Sequence, residues 1–211
     1  MIINHQHRFC FFAIPRTASK SVAKLLIEAY GSQGILKRHS SYGEFIAQAK
    51  PEERDYFTFT TVRNPMDSVV SEYFKKKSDH RGRFSRGSYR DGRPIAPAAL
   101  RRYRFIVEND ASFAEYFAEF YQEPYRLPRH EETAQKADVV MRYEQLEEDF
   151  EKLLKKLNLP LHPLPKINAT AGKRGHFLDY YTPEIVPQAL SVFTPLMQQW
   201  GYSFPEHWPT R

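Results

Sequence analysis

Residues 8–31 read RFCFFAIPRTASKSVAKLLIEAYG, and this stretch decides the fold. Its first part, residues 8–14, is a short aromatic and apolar run that ends before Pro15, the pattern of a buried strand. Residues 19–30 then carry Val22, Leu25, Leu26 and Ala29 at helical spacing, with Gly31 as a stop. The turn between them is made of small and hydroxyl residues and holds two cations, Arg16 and Lys20, at a helix start. Backbone N–H groups and the helix dipole make such a place an anion site, and small side chains let a phosphate approach the backbone. Read alone, the turn fits a plain helix start with exposed cations equally well.

Working outward, residues 56–62 (YFTFTTV) have the β-branched and aromatic content of a strand. Pro65 follows where a first helical turn tolerates it, and residues 66–76 continue as a helix. Residues 35–38 predict a second short strand, with a polar turn at 39–41 and a short helix over 42–49. Residues 138–142 predict another strand. Residues 144–158 predict an amphipathic helix with Leu146, Phe150, Leu153, Leu154 and Leu157 on one face. Residues 98–107 and 112–121 read as helices. A last helix starts at Thr182 and Pro183, made irregular by Pro187 and Pro195. Residues 78–97 are dominated by Gly, Ser and Arg, lose all apolar periodicity, and predict a long, mobile, basic loop. Strands alternating with helices predict an α/β class: three layers, α/β/α, around a central, mostly parallel sheet. Ligands bind at the carboxyl ends of such strands, here the turns after Ile14, Arg38 and Val62.

Composition narrows the partners. The chain has 211 residues, read as a single domain over 1–211 with residues 78–135 as an insert or helical region. No apolar run approaches the roughly 20 residues of a membrane span. The start shows no signal-peptide pattern, and Cys10, the one cysteine, lies in an apolar run as a small hydrophobe. An intrachain disulfide framework is excluded, and a cytoplasmic location is expected. Lys and Arg number 31 against 25 Asp and Glu, a net charge of +6. That balance favours anionic partners or means only a solvated basic surface.

Two segments carry the chemistry. In Pro15-Arg16-Thr17-Ala18-Ser19-Lys20-Ser21 the last two residues match the tail of G-x-x-x-x-G-K-[ST], but Ile14 and Ser19 stand where its glycines belong. The second segment is residues 61–74, TVRNPMDSVVSEYF. Arg63 leaves the strand end as a cation that can fork onto a phosphate, and Ser71 offers a hydroxyl from the following helix.

These segments resemble the PAPS-dependent sulfotransferases. Residues 14–21 are similar to that family's 5′-phosphosulfate loop, and the form Pro-Arg-Thr-Ala-Ser is most like its carbohydrate branch. Arg16 stands where Lys is commoner and Lys20 where a hydroxyl is usual. Residues 61–74 match the 3′-phosphate motif R-x-P-x-[DE]-x-x-x-S-x-[YF] at every marked position. Residues 142–146 (RYEQL) are similar to a strand-to-helix segment of the family. Residues 168–175, ending Lys173-Arg174-Gly175, are similar to its late basic loop.

The resemblance implies a P-loop-like fold. It implies 3′-phosphoadenosine 5′-phosphosulfate (PAPS) as donor, PAP as product, and a hydroxyl-bearing acceptor, with a saccharide first in view. No metal, nucleic acid or membrane span is expected. It implies Pro15, Arg16, Thr17, Ala18, Ser19, Lys20, Ser21, Arg63, Ser71, Lys173, Arg174 and Gly175 as donor-binding residues. Arg16 and Lys20 would face the charge that develops on the leaving oxygen. His39, following residues 35–38, is the expected base, because histidine takes protons near neutrality; Glu44, Glu72 and His80 stand in reserve. The arginines of residues 81–104 are expected beside the acceptor, or else in a solvated loop. A P-loop kinase and a non-enzymatic polyanion binder are the alternatives.

Overall fold

The computed structural model describes residues 1–165 and 171–209. In chain order the strands are β1 (Ile2–Asn4), β2 (Phe9–Phe12), β3 (Gln33–Gly34), β4 (Phe57–Val62) and β5 (Val139–Arg142). The helices are α1 (Ser19–Tyr30), α2 (Tyr42–Ile46), α3 (Pro65–Lys77), α4 (Arg83–Arg86), α5 (Pro97–Glu108), α6 (Phe113–Phe120), α7 (Pro128–Lys136), α8 (Leu146–Lys156) and α9 (Val186–Gln199). Two compact units result: Met1–Asn64 with Arg126–Asn168, and Pro65–Tyr125 with Ala169–Arg211.

The first unit holds a five-stranded sheet in the order β3-β1-β2-β4-β5. The β2, β4 and β5 strands are parallel neighbours, with Phe9 opposite Phe57 and Val62 opposite Arg142. The β1 strand runs antiparallel between β2 and β3. Alternation along β2 sends Phe9 and Phe11 to one face and Cys10 and Phe12 to the other. The first face packs under α1 and α8 through Val22, Leu26, Phe150, Leu153 and Leu154. The second packs with Ile3, Phe45 of α2 and Tyr56. Helices on both faces complete the expected α/β/α layering. Cys10 is fully buried, and that burial pushes its thiol up to about 12.

Two strand assignments differ from the sequence reading. The expected strand at residues 35–38 is displaced to β3, because the ladder there is set by β1: Ile2 pairs with Gly34 and the Met1 carbonyl accepts the Ile35 N–H at 3.1 Å. Leu36 instead turns left-handed, at φ 54°. The strand that fixes this register, β1, is three residues long and too short to signal itself.

The second unit is helical among the described residues. Its core joins Met66, Val69 and Val70 of α3, Ile106 of α5, Phe113 and Phe117 of α6, and Val192 and Phe193 of α9. Residues 78–97 are more structured than their composition suggests. A 3-10 turn (His80–Gly82), α4 and a bridge between Ser88 and Pro94 organise them. Gly82, Gly87 and Gly92 make the turns in left-handed conformations, and Phe84 is buried in a stack on Tyr103 at 5.5 Å. Pro187 falls in the first turn of α9, so only Pro195 interrupts that helix. Among the described residues no helix is long and apolar enough to cross a membrane.

Candidate active site

The parallel strands of the first unit deliver three segments to their carboxyl ends: residues 13–18 after β2, Arg63 and Asn64 after β4, and Tyr143 and Glu144 after β5. The first is a closed turn. The hydroxyls of Thr17 and Ser19 both donate to the Ile14 carbonyl at 2.9 Å. Since the Thr17 proton is committed there, Thr61 of β4 donates to Thr17 Oγ1 and ties the turn to the next strand. Thr17, Ser19 and Ser21 are buried, so these side chains shape the turn. Arg16 and Ala18 on either side of Thr17 have φ of 71° and 55°. The left-handed region costs a non-glycine residue roughly 1–2 kcal/mol, and such strain gathers at ligand sites.

α1 then begins with no side-chain cap at Ala18 and no acidic residue in its first turn. Lys20 stands in that first turn, exposed, with Arg16 and half-buried Pro15 just before it. Cations there have the wrong sign for the helix dipole, and a bound anion reverses that penalty. The residues present therefore fit a phosphosulfate group.

Arg63 is 7% exposed, and its Nη1 donates to the Arg16 carbonyl at 3.0 Å. Its guanidinium lies 4.1 Å over the Tyr143 ring, a cation–π contact that holds the planar group still. The Asn64 N–H donates to Glu144 Oε1 at 2.8 Å, fixing the turn that Arg63 leaves from. The Arg63 guanidinium and the Thr61 hydroxyl thus join the two motifs in this unit. The roles of Tyr143 and Glu144 were not legible as more than architecture, because their partners lie 80 positions away.

His39 is half-buried, with Nδ1 at 2.6 Å from the Ala13 carbonyl. A carbonyl can only accept, so Nδ1 carries the proton and Nε2 keeps a lone pair, the tautomer of a general base. Burial lowers its pKa, and the charges of Arg38, the chain's amino terminus and Lys20 lower it further, against the raising effect of the Ala13 bond. Sequence reasoning missed His130 on α7, also held down, by burial and then by His39 and Arg129. The reserve base Glu44 caps α2 by accepting the Ser41 N–H, and that bond, with the Arg129 pair after it, keeps its carboxyl below the ordinary range. A groove of about 440 Å³ in this unit is lined by Ala13, Lys20, Lys24, Glu28, Leu36 and Arg38 among others.

The remaining site residues lie in the second unit. Ser71 is fully buried in α3. Glu72 pairs with Lys76 and, at 3.6 Å, with Arg102, which occupies it as a base. Lys173 pairs with Asp67, Arg174 is exposed, and Gly175 turns left-handed at φ 67°. Residues 168–170 of the late basic segment lie outside the described residues. Of the basic insert, Arg93 pairs with Asp91 at 2.8 Å, and Arg83 lies 4.5 Å over Phe84.

No curated protein matches the chain. A solved structure, mouse sulfotransferase SULT7A1 complexed with PAP, is similar at 16% identity, over 93% of this chain and 86% of that one. Its TM-score is 0.44, a likeness too slight to bear on the site. The sequence match is far broader in consequence. The model described as the sulfotransferase family covers residues 1–176, which takes in the residue 14–21 turn, the Arg63 segment, the RYEQL segment and the Lys173-Arg174-Gly175 turn. On that match, this chain belongs to the sulfotransferase family.

Proposed function

We propose that this protein moves the sulfuryl group of PAPS onto an acceptor hydroxyl, with a saccharide as the acceptor class and residues 1–211 as one catalytic domain. The observation that carries the reading is the Arg63 bond to the Arg16 carbonyl, which joins the two phosphate motifs. The donor supplies an activated sulfuryl group whose transfer leaves PAP. The chain's residues do the rest. Arg16, Lys20 and the N–H groups at the start of α1 hold the 5′ end and stabilise negative charge as it develops on the leaving oxygen. Arg63 binds the 3′-phosphate; for Ser71, Lys173, Arg174 and Gly175 the same role rests on the resemblance of their segments alone. His39 Nε2 accepts the acceptor's hydroxyl proton as the new S–O bond forms.

The groove lined by Ala13 and Arg38 is the acceptor channel in this reading. Its cation Arg38 recognises an anionic group on the acceptor, while Lys24 pairs with Glu28 at 3.7 Å. The saccharide assignment rests on the Pro-Arg-Thr-Ala-Ser form of the loop, and an acceptor screen with radiolabelled donor tests it. The cytoplasmic location we propose rests on the single buried thiol and is tested by fractionation.

Calorimetry separates the readings. PAP is expected to bind without metal and more tightly than ATP with Mg²⁺ or an oligonucleotide. Arg63→Ala is expected to weaken PAP about 10–100-fold, the worth of a charge-assisted hydrogen bond. Tighter binding of Mg²⁺-ATP would replace this reading with phosphoryl transfer. Tighter binding of the oligonucleotide would make the chain a polyanion binder.

A further inference from the structure

We propose that Thr133 of α7 is a positioning residue for His39: its hydroxyl pins the start of α2 and so sets the turn that presents the imidazole. This rests on the reading of His39 as the base. The segment between Leu36 and α2 has little of its own to hold it. Leu36 is left-handed at φ 54°, and the Ser40 N–H closes a turn on the Lys37 carbonyl at 3.1 Å. α2 has five residues, too few for a helix to stand without outside contacts. Ser41 caps it by accepting the Glu44 N–H at 3.3 Å, which leaves the Tyr42 N–H, first in the helix, to find another partner.

That partner is Thr133, which is 1% exposed. Its hydroxyl donates to the Arg129 carbonyl, one turn back, at 2.7 Å, so a lone pair of the oxygen receives the Tyr42 N–H at 3.0 Å. A valine would fill the same space, so packing alone does not call for the hydroxyl. The ion pair of Arg129 with Glu44 is a second hold, but both side chains are exposed and such pairs contribute little. Gly43 lets α2 and α7 approach closely: a Cβ there would meet Glu132 Oε1 at 3.3 Å. His39 is thereby fixed from two sides, by the Ala13 carbonyl on Nδ1 and by α7 three residues further along the chain. Around the ring stand Arg38, the chain's amino terminus and Lys20, whose charges lower its pKa after burial does. His130 of α7 faces it too, itself held down by burial and then by His39. Among the described residues the Ala13 carbonyl is the ring's hydrogen-bond partner, and a loosened turn would lose it.

The test reads the ring directly and needs no acceptor. Nitrogen-15 and proton NMR of the full chain, with His39 assigned through His39→Gln, reports which ring nitrogen carries the proton and where the ring titrates. Wild type is expected to show the Nδ1–H form, with a midpoint below about 6.5. Thr133→Val is expected to mix in the Nε2–H form, since the hydrogen bond sets the tautomer. It is also expected to raise the midpoint toward about 6.5, because burial is the largest cause of the lowering and a loosened turn admits water. Thr133→Ser, which keeps the hydroxyl, is expected to restore the wild-type spectrum, and calorimetry is expected to show PAP affinity unchanged in both variants. A His39 that keeps its tautomer and midpoint in Thr133→Val, or that serine fails to restore, overturns the proposal. So does a spectrum in which His5, His7 and His162 shift along with His39, or a loss of PAP affinity in Thr133→Val, because either means general loosening. Should Thr133→Val fail to fold by circular dichroism, Thr133→Ala is read on the same signals. If wild type binds no PAP, the donor reading fails, while the spectra still decide whether Thr133 aims His39.

Discussion

At the scale of single residues, His39 makes the sharpest commitment. Its Nδ1 proton is engaged by Ala13, so the ring presents one basic nitrogen in one orientation. Replacing it with Gln is expected to lower kcat by about 10²–10⁴, the usual worth of a positioned base, while PAP binding is retained. The pH profile carries the sign of its lowered pKa. Activity is expected to be flat around neutrality and to fall only as the pH drops through a value below histidine's ordinary 6.5 or so. A limb above that value would remove His39 from the role. The same lowering bears on stability. The unfolded chain protonates His39 and His130 more readily than the native one, so stability is lost as the pH falls below about 6.5.

Among elements, the turn from β2 into α1 concentrates strain, with Arg16 and Ala18 both left-handed. Ala18→Gly removes a left-handed penalty of roughly 1–2 kcal/mol and adds about 0.5–1 kcal/mol of chain entropy to the unfolded state. Urea unfolding is expected to show a gain of up to about 1.5 kcal/mol, with weaker PAP binding as the turn loosens; a loss of stability would contradict the strain argument. How legible each element was follows from what holds it. α1 spans residues 19–30 as its periodicity and Gly31 announce, because Val22 and Leu26 are what anchor it. β4 was equally plain, being buried along nearly all its length. α7 was invisible because it carries no apolar stripe: its buried residues are Glu131, Thr133 and Ala134. Polar bonds fix it instead, from Arg126 to Glu131, from the Tyr42 N–H to the Thr133 hydroxyl, and from Arg129 to Glu44. His130 went unnoticed with it. The pairing of Lys173 with Asp67 was not legible, because no local pattern shows a partner 106 positions away.

For the whole molecule, the net charge of +6 sets how a multiply charged anion is gathered in. Association of PAP, followed by stopped flow, is expected to slow steeply as NaCl rises, since the screening length shrinks from about 10 Å at 0.1 M to about 3 Å at 1 M. Dissociation should change far less, and equal sensitivity of both rates would place the attraction at the contact alone. A practical consequence follows from the start of α1, which has no cap, no acidic residue and a lysine in its first turn. Inorganic sulfate or phosphate in the medium will settle there, raising the melting temperature while competing with the nucleotide. Buffers that make the protein easiest to keep are therefore the ones in which its turnover is underestimated.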